Sequence, residues 1–194
     1  AHEVDSRDPY HVHAMFTLAG VVNIEALSEA WLECCTKFDA MRLTVLTLPN
    51  GEMVGNLASE KALGIEIISI PAGEREPRQW LKEQDFAQSF RMDGSPLLRA
   101  KLLPLGHKKF ILLISHHHLI MDGWSFQTVM DWLGASYFAR LGIGPDPNDR
   151  DFRPMNWKEF LAQIPMDSHS DGHWDEFLAQ TKGKENLSFV TRDP

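Results

Sequence analysis

The 194-residue chain has only two cysteines, and these are neighbours, Cys34 and Cys35. Adjacent side chains on a helix diverge, so the two do not readily pair with each other. A disulfide framework is excluded, and both read as reduced packing residues of a cytoplasmic protein. Long apolar runs are missing too. The longest, Phe110 to Ile114, is far too short to cross a bilayer. Residues 1–20 carry His, Glu and Asp where a secretory signal would be basic and then apolar. Positive charge is scarce: 19 Lys and Arg stand against 27 Asp and Glu, giving a net charge of −8 with no basic run. Such a chain is a poor partner for nucleic acid or an anionic membrane. Neither CxxC nor HExxH occurs, so the strong zinc patterns are absent. No internal repeat is seen. Ala1 stands where an initiating Met would, so the true beginning is expected upstream.

What remains is ordinary globular material, 43% hydrophobic and 24% charged, enough for a core without a metal or disulfide. His11 to Ala19 alternates, with Val12, Ala14, Phe16 and Leu18 on one face, and reads as a half-buried strand. Asn23 caps a helix to about Phe38, whose inner face is Leu27, Ala30, Trp31, Cys34, Cys35 and Phe38. Arg42–Leu48 and Glu52–Leu57 form a hairpin about Pro49-Asn50-Gly51, and Ile65–Ile70 is another strand. A helix over Arg78–Phe90 turns Trp80, Leu81, Ala87 and Phe90 inward, and Asp93-Gly94-Ser95-Pro96 reads as a turn. Strands follow at Leu97–Leu103 and Phe110–His118, the second apolar enough to be covered on both faces. Ser125 caps a helix to about Leu141, stopped by Gly142. A surface connection to Pro154, a short helix begun by Asn156 and Glu159 and ending at Pro165, and a last helix over Asp171–Lys182 complete the order. Helices alternating with at least one hairpin predict an α/β fold with a mixed sheet rather than a doubly wound parallel one.

One stretch is unusual. Ser115-His116-His117-His118-Leu119-Ile120-Met121-Asp122-Gly123-Trp124-Ser125 ends an apolar strand in three histidines and passes through a tight turn into a helix. Strand ends feeding helix starts often carry active-site residues. Histidine titrates near neutrality and can take a proton from an attacking amine or alcohol. Alternation places His116 and His118 on one face and His117 on the other. Asp122 can orient an imidazole or pair with a cation. A metal site is the weaker reading, since His116 and His118 supply only two ligands. His11/His13 and His169/His173 also have ligand-like spacing but no further marker, and read as surface histidines.

His117-His118-x-x-x-Asp122-Gly123 resembles the HHxxxDG signature of nonribosomal peptide synthetase condensation domains, shared across the chloramphenicol-acetyltransferase-like superfamily. Asp122-Gly123-Trp124-Ser125 looks like the DGWS form of condensation domains, and the paired aspartates of heterocyclisation domains are not seen. Lys37-Phe38-Asp39-Ala40-Met41-Arg42 resembles the RHExLR segment, with Arg42 at its second Arg and Lys37 and Phe38 replacing the first Arg and His. Phe90 to Arg99 resembles the F-x-x-D…PLLR stretch. Trp157-Lys158-Glu159-Phe160 looks like a degenerate YxDF. His173-Trp174 and Thr191-Arg192-Asp193-Pro194 resemble the end of the family's first lobe.

The resemblance covers nearly the whole chain, residues 1–194, and implies a chloramphenicol-acetyltransferase-like lobe, a mixed sheet with helices packed on it. The family's opening motif and its C-terminal lobe are not in the chain, so the lobe alone is expected to be inactive. The implied reaction is amide formation. An upstream carrier domain presents an acyl or peptidyl thioester on phosphopantetheine, and a downstream carrier presents an aminoacyl thioester whose amine attacks it. No tightly bound cofactor is implied, because partner carriers deliver the phosphopantetheine arms. His118 is the implied catalytic residue, as base or as a group that only orients the amine, with His117 beside it. Asp122 and Arg42 are implied to form a structural ion pair, and Gly123 to permit a tight backbone. Trp124 and Ser125 are candidate tunnel-lining residues, although Trp124 fits core packing equally well. Competing readings are an ester-forming acyltransferase of the same superfamily and a non-catalytic module that docks carriers or tailoring enzymes.

Overall fold

The computed structural model describes residues 8–149 together with 154, 155, 159, 162 and 163. In chain order these form β1 (His11–Ala19), α1 (Ile24–Lys37), β2 (Leu43–Thr47), β3 (Met53–Leu57), β4 (Ile65–Ile67), α2 (Pro77–Phe86), β5 (Asp93–Pro96), β6 (Leu98–Pro104), β7 (Lys109–His117) and α3 (Gly123–Arg140). Two units make up the chain, residues 1–157 and 158–194, and the elements above all belong to the first. In the second, Glu159, Ala162 and Gln163 are helical, at the position expected for the short helix. The expected helix over Asp171–Lys182, with His169 and His173, lies outside the described residues.

The larger sheet has the order β1-β7-β6-β4, antiparallel except for β4 on β6. It is the expected mixed sheet. A separate antiparallel sheet has the order β3-β2-β5. β7 lies between β1 and β6, and every residue from Phe110 to His116 is buried. Its two faces feed two apolar clusters. Phe110, Leu112 and Ile114 meet α1 through Leu27 and Trp31 and α3 through Val129, Trp132 and Leu133. Ile111 and Leu113 join Leu103 and Leu81 of α2 on the other face. The period of two along one strand thus fixes which helices cover which side. Trp31 is fully buried and donates its indole N–H to the Leu63 carbonyl at 2.5 Å, which ties α1 to the turn before β4. The polar edge of that large ring is satisfied inside the core.

Local chemistry explains most boundaries. Asn23 Oδ1 accepts the Ala26 N–H at 3.0 Å and opens α1 as a side-chain cap. Pro77 opens α2, where its missing N–H is not needed. Gly51, at φ +86°, closes the β2–β3 hairpin, and Gly142, at φ +70°, ends α3. Four expectations need correction. α2 stops at Phe86, and Ala87 is exposed rather than inward. Ile65–Ile70 contains only a three-residue strand. Asp93–Pro96 is a strand on β2, with a register shift beside Gly94, so turn-like residues serve an irregular strand. The cap of α3 is Asp122, not Ser125.

Candidate active site

The histidine segment is held from three directions. β7 ends at His117, whose N–H bonds the Leu97 carbonyl at 2.9 Å. The next N–H, that of His118, donates to the Tyr10 carbonyl at 2.7 Å, just before β1. Beyond them Ile120 and Met121 are buried and anchor the turn in the core, while Leu119, just before them, points outward. Asp122 then caps α3: its Oδ1 accepts the Ser125 N–H at 2.8 Å and the Ser125 hydroxyl at 2.6 Å. Those two donors also hold the Asp122 carboxyl below its usual range.

The three imidazoles have different surroundings. His116 is buried against Phe126, ring centroids 5.7 Å apart, and burial lowers its pKa. His117 is half-buried. Burial lowers its pKa too, partly opposed by Asp8, whose Oδ2 lies 3.8 Å from Nε2. Its Nδ1 accepts the Leu119 N–H at 3.1 Å. The acceptor role at Nδ1 puts the proton of neutral His117 on Nε2, facing Asp8. His118 is exposed, and among the described residues its imidazole has no hydrogen-bond partner. Tyr10, His117, His118 and Leu119 line a groove of about 400 Å³. Of the three histidines, only His118 presents an uncommitted imidazole there.

The remaining motif residues fall differently from the expectation. Arg42 pairs with Asp39, not with Asp122, and its side chain is mostly buried. Asp122 is engaged with Ser125 instead, so the implied Asp122–Arg42 ion pair is not made. Gly123 has no positive φ, and a Cβ there would meet nothing within 4 Å, so the backbone does not demand glycine. Trp124 is 88% exposed and outside the core. It stands at the start of α3 beside the spent hydroxyl of Ser125. Cavity size alone would point elsewhere. A larger space, about 930 Å³, lies among Glu33, Lys37, Arg140, Asp146 and Asn148. Its polar groups are committed to one another: Arg140 and Asn148 both bind Glu33, and Asp146 accepts from Asn148.

Sequence reasoning missed a buried ionic cluster on the sheet face under α2. His11 and His13 are not surface residues. Their Nε2 atoms lie 3.0 and 2.8 Å from Asp85 Oδ2 and 3.1 Å from each other. Asp85 is fully buried, and its Oδ1 meets Lys101 Nζ at 3.1 Å and Arg99 Nε at 3.3 Å. Burial pushes the Asp85 carboxyl up, but His11, His13, Ser115 and the Arg99 charge outweigh it and hold the pKa far below the carboxylate range. The three ligand-type atoms converge as a metal triad would. With neutral imidazoles, however, Arg99 and Lys101 already exceed the single negative charge of Asp85. A divalent ion would raise a buried surplus of one positive charge to three, at a prohibitive desolvation cost. The cluster is therefore an ionic tie between strand and helix, its carboxylate already fully neutralised by protein cations. The signal that could have found it was helical spacing: Asp85 lies four residues after Leu81, on the face expected to turn inward, with Arg99 and Lys101 alternating on β6.

The starter condensation domain of rhizomide synthetase superposes with a TM-score of 0.70 at 17% identity, over 88% of this chain and 42% of that one. The X-domain from teicoplanin biosynthesis gives 0.65 at 19%, over 94% and 36%. The fold is thus that of the chloramphenicol-acetyltransferase-like proteins. The family profile for the condensation domain matches residues 3–192, and the chain belongs to that family. Malpinin synthetase of Mortierella alpina is 31% identical over 135 residues, 68% of this chain and 2% of that protein. Cyclosporin synthetase simA of Tolypocladium inflatum is 28% identical over 184 residues, 94% of this chain and 1% of that protein. The chain therefore spans a very small part of these synthetases and under half of the solved domains. Among the described residues no helix is long and apolar enough to cross a membrane.

Proposed function

We propose that these residues are the histidine-bearing lobe of a condensation domain in nonribosomal peptide synthesis, and that His118 serves amide formation. The observation that carries this reading is the contrast between neighbours. His117 is committed at Nδ1 to the turn and faces Asp8 with Nε2, whereas His118 stands open in the groove. The amine of an aminoacyl thioester on the downstream carrier attacks the carbonyl carbon of the upstream acyl or peptidyl thioester. The C–N bond forms, the C–S bond breaks, and the proton shed by nitrogen passes through His118 to the departing pantetheine thiolate. Holding both arms end to end makes the attack effectively intramolecular. The carriers supply these phosphopantetheine arms as substrates.

The second wall of the tunnel is proposed to come from a C-terminal lobe, without which the 194 residues do not condense substrates. The exposed His118 and Trp124 support an open face awaiting that wall. A cytosolic setting belongs to the same reading, and the buried, unpaired thiols of Cys34 and Cys35 agree with it. The test is transfer between two loaded carriers by the complete domain, followed by intact-protein mass spectrometry. Wild type is expected to form the extended product, and His118→Ala to lose at least about a hundredfold in rate while remaining folded. Undiminished transfer by His118→Ala removes the assigned role. No transfer by wild type across many substrates favours a docking module instead.

A further inference from the structure

Asp85 has no direct line to the groove, yet two physical connections lead from it to the histidine turn. The first runs through backbone. Among the described residues β1 is an edge strand, held in the larger sheet by β7, and its first ladder pair is His11 with His117. His11 Nε2 is bonded to Asp85 on α2 at 3.0 Å, so α2 pins the start of β1 from outside the sheet. The residue just before it, Tyr10, supplies the carbonyl that takes the His118 N–H at 2.7 Å. Tyr10 is itself set by Asp8, whose Oδ1 accepts its N–H at 2.9 Å and whose Oδ2 faces His117. The second connection runs through rings. His11 packs edge-on to Phe90 at 4.7 Å, and Phe90 packs edge-on to His117 at 6.4 Å.

We propose that Asp85 is a positioning residue for His118, acting through His11 and the Tyr10 carbonyl. The fixed carboxylate holds the His11 ring. The ring holds the first residue of β1, and that residue sets where the Tyr10 carbonyl presents its acceptor. Arg99 and Lys101 neutralise the carboxylate from β6 and keep it from drawing water into the sheet face. His13 shares Asp85 Oδ2 and, two residues along β1, prevents the strand from pivoting about a single bond. A small displacement of a reacting group is enough to cost a large factor in rate.

The turnover part of the test rests on the amide-forming reading, and the spectroscopic part does not. Both use the complete domain. His11→Phe keeps a ring against Phe86 and Phe90 but loses the bond to Asp85. Its expected effect is about a tenfold fall in kcat for transfer, with KM for both loaded carriers changed by less than about twofold. In a His118→Ala background the same substitution brings no further loss, because the path it acts through is gone. Asp85→Asn alone leaves two buried cations without a counter-ion, so it is paired with Lys101→Met to restore the charge of the cluster. Carbon-13 histidine NMR follows His118 in both variants, and its resonance is expected to shift in each. An unmoved His118 resonance in the folded variants overturns the proposal, as does a loss confined to KM or a full further loss in the His118→Ala background. Failure of wild type to form amides counts against the functional reading only, and the His118 shift then still decides the positioning role.

Discussion

Replacing Asp85 by Ala should be among the most damaging substitutions available in this fold. The carboxylate is fully buried and, among the described residues, is the only negative charge opposite Arg99 and Lys101, and the Lys101 side chain is 6% exposed. Breaking a buried pair by removing one member costs about 3–5 kcal/mol. Arg99 is 23% exposed and keeps some water, which argues for the lower end, about 3 kcal/mol. That is a large share of the roughly 5–15 kcal/mol that holds a typical domain together. The dependence on pH has a definite sign. The folded pKa lies well below the unfolded value of about 3.9. The contribution is therefore complete above that value and is lost as pH falls, at about 1.4 kcal/mol per pH unit. Urea unfolding monitored by tryptophan fluorescence should show a gap of about 3 kcal/mol between wild type and Asp85→Ala at pH 7. By pH 3 the gap should be smaller by about 1 kcal/mol. His11, His13, Arg99, Lys101 and Ser115 all face this carboxylate. A gap below about 1 kcal/mol at pH 7, or one that stays constant to pH 3, would refute the argument.

Three further outcomes follow from the motif and the core. Asp122→Asn keeps an acceptor for the Ser125 N–H and should melt near wild type, whereas Asp122→Ala should melt a few degrees lower; combined with Arg42→Ala, the shifts should add, because the two side chains are not paired. Non-additive shifts in calorimetry would restore the ion-pair reading. Gly123→Ala should leave the melting temperature unchanged or raise it, and transfer should persist, since a Cβ there meets nothing within 4 Å. Loss of transfer in a folded Gly123→Ala protein would show that substrate passes close to this backbone. Cys34 and Cys35 should resist a thiol reagent at pH 8 until the protein is unfolded, because burial pushes both thiols up, Cys35 to about 12. Labelling of the native protein at the rate of a free thiol would contradict their buried placement.

The sequence was most legible where one physical pattern acted alone. The bounds of β1 matched the expected ones, and α1 ran from the Asn23 cap to the residue before Phe38. The unbroken apolar run of β7 announced a central strand covered on both faces. Legibility failed where tertiary partners decide. Asp93-Gly94-Ser95-Pro96 carries turn residues but has β2 to pair with. Asp122 and Ser125 are both good caps, and only the path of the chain from Met121 selects the first. The histidine motif was visible as chemistry, and its commitment of His117 was not, since that depends on one backbone N–H two residues later. His11 and His13 looked like solvated histidines because the acid that buries them lies over seventy positions away, on α2.

The full burial of β7 up to His116 bears on how such a segment tolerates changes in length. Side chains alternate along a strand, so the loss or gain of a single residue between Phe110 and Ser115 would exchange the two faces for everything that follows. The imidazole now stacked on Phe126 would be turned toward α2, and the one beside Asp8 would be driven into the apolar layer beneath α1 and α3. Substitution can be absorbed there by repacking, but an odd insertion or deletion cannot. Grafts that keep the histidine segment should therefore place their joints in the exposed turns before α2 or between β6 and β7, where an added residue does not rotate the imidazoles out of place.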